Sequence, residues 1–375
     1  MHTLGTAHDH LDAGRFEECA AVCRALIEAD PGNADAHAAL GRALAVEGEF
    51  DEALAAITDA LRLSPADIGI NLERAFALLK AGHLLEGWAA HEWRHRGRVA
   101  AGPMLPKVRY LDDLDGRTVL IDHEGGFGDT IQFVRYGRLL GEMGARVVLR
   151  APRELARLMR GQDGIADVTT GPAPPFDYRC PAMSLPYVFD TAIETIPTAD
   201  GIYINADRGL TAEWAARLPP GPRVGLVWAG EPKSGDPAAQ ALDLRRNLPF
   251  RMLLPLTVTP GVSFVSLQTG PARGQIAGGV HDPMGAARDF ADTAAIIANL
   301  DAVISVDTAV AHLAGAMGKP VFLLDRYDNC WRWLYGRGDS PWYPTLMIFR
   351  QAQPGDWLGP VTQAAETLEE FFPEG

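Results

Sequence analysis

The chain has 375 residues, 47% of them hydrophobic, enough to fill two or three separate cores and too apolar for a disordered protein. Its formal charge of -14 opposes non-specific attraction to nucleic acid or anionic membrane, because both need a positive surface field. No apolar run approaches the roughly 18 residues of a spanning helix, residues 1–10 lack the pattern of a leader, and the cysteines Cys19, Cys23, Cys180 and Cys330 form no CxxC pair. The resulting expectation is a cytoplasmic protein with reduced thiols, no membrane span and no nucleic-acid partner.

Gly14, Gly48 and Gly82 recur at a 34-residue spacing, as do Phe16, Phe50 and Leu84, and also Pro31 and Pro65. That period is the mark of tetratricopeptide helix pairs. In the middle copy, residues 34–64, Leu40, Gly41 and Leu44 fall on a first helix and Ala53, Ile57 and Ala60 on a second. Gly48 ends the first helix and Pro65 stops the second. The third copy degenerates into residues 86–94 (EGWAAHEWR), whose aromatics suit packing against whatever follows. Repeats take their stability from neighbours, so so short an array predicts docking on the next domain. The repeats are assigned residues 1–97, and residues 98–116, with Pro103 and Pro106, read as a linker.

Residues 117–122 (RTVLID) read as a strand, followed by a glycine-rich loop, a helix over 130–143 and a second strand at 146–150. This is a β-α-β unit and hence the start of a parallel sheet. The same grammar restarts at 223–228 (RVGLVW) and continues at 263–267, 302–305 and 320–324. The fold class is α/β: two Rossmann-like parallel-sheet lobes, 117–219 and 220–375, the second with a C-terminal helix, and a cleft at the carboxyl ends of the strands.

Residues 301–320 (DAVISVDTAVAHLAGAMGKP) place Asp307 and Thr308 between a buried strand and a helix that opens at Ala309. Free N–H groups and the positive dipole end of such a helix suit a phosphate, while the same two residues equally fit a capping pair. In the loop 123–130 (HEGGFGDT), the glycines allow a tight turn. There Asp129 fits a helix cap as well as a base.

The 301–320 stretch resembles the D-[ST]-x-x-x-H-L-A-x-A-x-G-x-P signature of the heptosyltransferase-like, family 9-like glycosyltransferases and of tetratricopeptide proteins carrying that domain. Residues 289–294 (DFADTA), 331–334 (WRWL), 339–344 (DSPWYP) and 349–351 (FRQ) resemble further blocks of the family, so the likeness runs from about residue 85 to 370. The resemblance implies a GT-B fold, with a nucleotide-sugar held mainly by the second lobe as substrate and no cofactor. It puts Asp307, Thr308 and His312 in the donor site, with Trp228, Ala229 and Gly230 at the cleft end of the lobe's first strand. Arg246 would face the donor phosphates, where a fixed cation stabilises a departing diphosphate without a metal. Asp129 would be the general base, with His123, Glu124, Gly126 and Gly128 at the same mouth in reserve on the acceptor side. The implied reaction is an inverting, metal-independent transfer to a hydroxyl, on a protein recruited by the repeats.

One region departs from the family pattern. A His and an Asn-Asp pair commonly follow the W-[SA]-G turn, whereas this chain reads EPKSGD at 231–236, with an insertion over 233–242. That keeps a catalytically inactive scaffold as a second reading and a lipopolysaccharide-type saccharide transferase as a third.

Three other motifs lead elsewhere. His91 to His95 matches HExxH, but it falls on the last repeat helix with no third zinc ligand at a suitable spacing. Asp113-Leu114-Asp115 matches DxD but runs into Gly116 and reads as a turn, so no metal site is expected. Gly126-Phe127-Gly128 lacks the third glycine of a dinucleotide fingerprint. Trp331, Trp333 and Trp342 suit stacking on a base or sugar and suit core packing equally.

Overall fold

The computed structural model describes residues 2–373 apart from 98–101, 112, 198–200, 233–234 and 236. Six helices come first: α1 (Leu4–Asp12), α2 (Phe16–Ala29), α3 (Ala34–Glu47), α4 (Phe50–Leu63), α5 (Ile68–Lys80) and α6 (Leu84–His91). The 34-residue period falls on equivalent points of the three pairs. Phe16, Phe50 and Leu84 each open the second helix of a pair, and Gly14, Gly48 and Gly82 turn the chain at φ of 72°, 85° and 90°. Asn33 and Asp67 cap α3 and α5 by accepting from Ala36 N and Ile70 N. Gly41 permits the close crossing, since a Cβ there would stand 2.4 Å from Ile57 Cγ1.

The first lobe holds β1 (Thr118–Asp122), α7 (Phe127–Phe133), α8 (Tyr136–Glu142), β2 (Arg146–Arg150), α9 (Arg153–Met159), β3 (Asp167–Thr169), β4 (Tyr178–Pro181) and α10 (Leu185–Val188). Its strands are parallel in the order β3-β2-β1-β4. After α11 (Arg208–Ala215) come β5 (Arg223–Val227), α12 (Pro237–Arg246), β6 (Ser263–Ser266), α13 (Phe290–Ala298), β7 (Ala302–Val306), α14 (Ala309–Ala316), β8 (Val321–Asp325), β9 (Leu346–Arg350) and α15 (Leu358–Phe371). They form a second parallel sheet, β6-β5-β7-β8-β9. Near-continuous apolar strands such as β7 and β8 are buried along their whole length, as a sheet covered on both faces requires. No helix among the described residues is long and apolar enough to cross a membrane.

The structure departs from the sequence expectation at three places. The helix read over 130–143 is two helices, α7 and α8, joined by Val134 and Arg135, whose dihedrals stay right-handed helical, and the Arg135 guanidinium is buried. There it donates to Trp342 O and to Tyr203 Oη, both at 2.9 Å, and lies against the Tyr203 and Tyr343 rings. A buried guanidinium must be met by acceptors, and these come from distant segments as well as from Gln132 O at 2.7 Å. The segment read as a linker is packed: Leu105 and Leu114 are buried, and their N–H groups donate to Arg179 O and Met143 O at 2.8 Å. Helix α11 precedes residue 219 yet packs on α13 of the second lobe, with Trp214 Nε1 donating to Asp292 Oδ1 at 3.3 Å.

The repeats dock on the α/β part, and the joint is aromatic. Trp88 of α6 is fully buried, edge-on to Trp331 at 5.2 Å, Phe133 at 6.1 Å and Trp342 at 6.2 Å. One apolar cluster therefore runs from Leu84 and Trp88 through Val119 and Ile131 to Val303 and Leu313. Gly48 adds a second contact: its left-handed backbone lies flat on Tyr335, whose ring a Cβ would strike at 2.3 Å.

Candidate donor-binding cleft

The carboxyl ends of both sheets open on one cleft at their switch points, where β1 lies between β2 and β4 and where β5 adjoins both β6 and β7. Helix α14 starts there. Thr308 is its N-cap in extended conformation, but no side chain caps the helix; Thr308 Oγ1 pairs with Ser305 Oγ at 3.0 Å instead. The simple capping alternative therefore fails, and the positive end of the helix faces the cleft without a capping oxygen. Asp307 has another partnership. Burial acts to raise its pKa, but His312, Arg326, Arg246 and Arg332 outweigh that and hold it below the ordinary carboxylate value.

A cavity of about 320 Å³ lies at this helix start, lined by Thr308, Ala309 and Val310, by Ala229 and Gly230 after β5, and by Phe127 of the first lobe. Glu231 and Arg288 add charge to its wall. The lobes meet beside it. A Cβ on Gly128 would stand 2.7 Å from His312 Cδ2 and 3.5 Å from Ala309 Cα, so the starts of α7 and α14 touch only because residue 128 has no side chain. His312 is buried and cannot swing away, so Gly128→Ala is expected to cost about 1–3 kcal/mol by overpacking. Urea unfolding checks this, and an unchanged midpoint would mean that the lobes separate freely.

Asp129 is the third residue of α7, and both its oxygens are engaged. Oδ2 accepts from Gly126 N at 2.6 Å, and Oδ1 is paired with Arg332 Nη2 of the second lobe. Gly125 turns beneath it at φ 73°, where a Cβ would strike Oδ2 at 2.3 Å. Arg332 also donates to Gln132 Oε1 at 2.9 Å and Cys330 Sγ at 3.1 Å, and lies 4.1 Å from the Trp331 ring centroid. Burial disfavours its charge, but Asp129, Cys330 and Asp307 together outweigh that and raise its pKa above the ordinary arginine value. A second inter-lobe pair is Arg157 with Asp289 and Asp292, at 2.7 and 2.9 Å.

Not every residue assigned to the cleft from sequence reaches it. The Trp228 side chain is fully buried and packs on Phe250 at 4.8 Å, so only the backbone of that turn, at Ala229 and Gly230, fronts the cavity. His312, on α14, turns its ring to the contact with α7 and not to the cavity, with Nδ1 2.8 Å from Tyr343 Oη and the ring stacked on Trp333 at 5.1 Å. Desolvation pulls its pKa down to about 4, which fits a positioning side chain. Arg246 stands behind Gly230, paired with Asp243 and donating to Asp307 O at 3.3 Å. Of the insertion, Lys233, Ser234 and Asp236 lie outside the described residues.

On the first lobe Glu124 is gripped by Arg94, whose Nε and Nη2 donate to its two oxygens at 2.9 and 3.0 Å. His123 Nδ1 lies 2.6 Å from Thr130 Oγ1, and burial lowers its pKa. The HExxH residues thus belong to the joint between repeats and lobe. Glu92 and Arg94 pair at 2.7 Å, His95 reaches Ser184 Oγ at 3.3 Å, and His91 sits among the Phe76, Trp88 and Trp331 rings. Desolvation, with Arg94 and Arg332 nearby, takes the His91 pKa down to about 2. Among the described residues, no three His, Cys, Asp or Glu side chains converge as metal ligands would. Trp331, Trp333 and Trp342 are buried packing residues. Arg332, Arg94 and Arg157 were missed as site residues; for Arg332 the available signal was a single cation inside an aromatic run, which folding must bury with a partner.

Repeats, two parallel-sheet lobes and an uncapped helix start in the cleft between them define a repeat-bearing protein of the GT-B class. Residues 4–68 match the tetratricopeptide repeat, and residues 284–352 match glycosyltransferase family 9 (heptosyltransferase). The chain therefore joins a stretch that matches the tetratricopeptide repeat to a stretch, in the second lobe, that matches glycosyltransferase family 9. It is similar to Protein FlbA of Caulobacter vibrioides, with 32% identity over 363 residues, covering 86% of this chain and 59% of that protein. The chain thus spans less than two thirds of that relative's length. Among solved structures, a glycosyl transferase family 9 protein of Veillonella parvula overlays at 10% identity and a TM-score of 0.49, covering 69% of this chain and 96% of that one. The E. coli ADP-heptose lps heptosyltransferase II overlays at 10% identity and a TM-score of 0.43, covering 68% and 99%.

Proposed function

We propose that the protein transfers a sugar from a nucleotide-sugar to a hydroxyl acceptor, with inversion and without a metal, and that the acceptor is a protein recruited by the repeats. The observation that carries the reading is the open start of α14: residues within the family 9 match place unshared N–H groups and a helix dipole on a cavity between the lobes. A diphosphate there would be held by the backbone at Thr308, Ala309 and Val310, while Arg246 and the Asp307 turn support that backbone from behind. Asp129, two residues beyond the cavity-lining Phe127 on α7, would take the acceptor proton. Arg332 fixes the Asp129 carboxylate from the second lobe. For Asp129 to act, the acceptor hydroxyl must enter its hydrogen-bonding shell, so slight opening of the lobes accompanies acceptor binding. Incubation with a panel of nucleotide-sugars, reading nucleoside diphosphate release, tests the reading; no release and no nucleotide binding would replace it with the scaffold.

Metal independence is supported by where the DxD match lies. Asp113 and Asp115 are exposed around the buried Leu114, outside the cavity wall. Turnover is expected to survive a chelator unchanged, and loss of turnover restored by Mn²⁺ would overturn this part of the proposal.

A further inference from the structure

A second cavity lies away from the cleft. A half-open pocket of about 460 Å³ lies between the inner helices of the repeats, α1, α3 and α5, and the second lobe's α12 and residues 326–331. Its walls are largely apolar, with Leu11, Phe16, Val46, Phe76, Leu242 and Trp331, yet it contains a buried cation. Lys80 is 6% exposed, and among the described residues its ammonium makes no hydrogen bond or ion pair; it stands 5.8 Å from the Tyr335 ring centroid. Arg245 and Arg326 share the single carboxylate of Asp328, at 3.0 and 3.1 Å. The Arg326 contact is out of alignment, so its buried Nε has no hydrogen-bond acceptor. The lining thus carries four cations, Arg42, Lys80, Arg245 and Arg326, against the carboxylates of Asp12, Glu73 and Asp328, and since Arg42 is paired with Glu73, the cations gather around Asp328 in a protein that is strongly acidic as a whole.

An unpaired ammonium in an apolar enclosure is costly, and an anion seated beside it would remove much of that cost. Desolvation already draws the Lys80 pKa down to about 8, against the opposing pull of Asp328. The volume is that of a small-molecule pocket, typically roughly 300–1,000 Å³, and the surrounding helices leave little length for an extended chain. We propose that this cavity binds a compact organic anion, its carboxylate or phosphate head on Lys80 and Arg326 and its apolar body against Leu11, Phe16 and Trp331.

Calorimetry on the full chain, with benzoate and phenyl phosphate as probes and benzyl alcohol as the neutral control, tests this. At least one anion is expected to bind ten-fold or more tightly than the alcohol, and the better of the two identifies the head group. Lys80→Met should weaken that anion at least ten-fold. Leu242→Trp, which keeps the ammonium but fills the space from α12, should do the same if the lysine variant does not fold. Failure of both anions to bind, equal binding of the alcohol, or anion binding unchanged in the folded variants would each overturn the proposal. So would an acidic nonapeptide that binds ten-fold more tightly than either probe and depends on Lys80, since that would make the cavity a polypeptide groove.

Discussion

Asp129→Asn is expected to lower turnover by roughly 10² or more while nucleotide affinity stays within a few-fold, because it removes a base from one lobe and leaves the donor wall on the other. The substitution is geometrically mild. The amide oxygen can still accept from Gly126 N, so the turn at the start of α7 persists. What goes is the proton acceptor and the charge opposite Arg332, which retains Gln132 and Cys330 as partners. Calorimetry with a nucleoside diphosphate, run beside the turnover assay, separates the two effects. Loss of binding and turnover together would mean that the Asp129–Arg332 pair holds the lobes in register and that chemistry lies elsewhere. Full turnover would move the base to His123, or to Glu124 after its release from Arg94.

Trp88→Ala should be the most damaging packing change in the joint, costing about 3–5 kcal/mol, the usual range for removing a buried large aromatic. Against a total stability of about 5–15 kcal/mol for a folded domain, that is a major fraction. The loss is one of packing alone, since the buried Trp88 Nε1 has no hydrogen-bond partner to strand. Its ring meets Phe133 from the first lobe and Trp331 and Trp342 from the second, so the cavity would open where all three units meet. Urea unfolding should show the lobes destabilised together with the repeats. If the α/β transition stays within about 1 kcal/mol of wild type while only the helices melt earlier, the repeats are an appendage and the shared core carries little energy.

The sequence by itself determined the repeats and the strands, because both are set by local periodicity and turn chemistry. Gly14, Gly48 and Gly82 mark the positive-φ turns at a fixed spacing, and short apolar runs such as residues 146–150 have few alternatives to a buried strand. The cleft was legible as a place, since a strand leading into a small-residue helix forecasts an open helix start. Which side chains reach it was not legible. Trp228, Arg246 and His312 are adjacent in sequence to the cavity wall, but their side chains lie behind it, among Phe250, Asp243 and Tyr343. Only the tertiary structure decided that Arg332 would hold Asp129 across 203 positions of chain, that Arg94 would take Glu124, and that Arg135 would reach Trp342 O. The physical reason is common to all three: a buried guanidinium has to find oxygen acceptors wherever the packed elements present them, and no local pattern encodes which distant segment that will be.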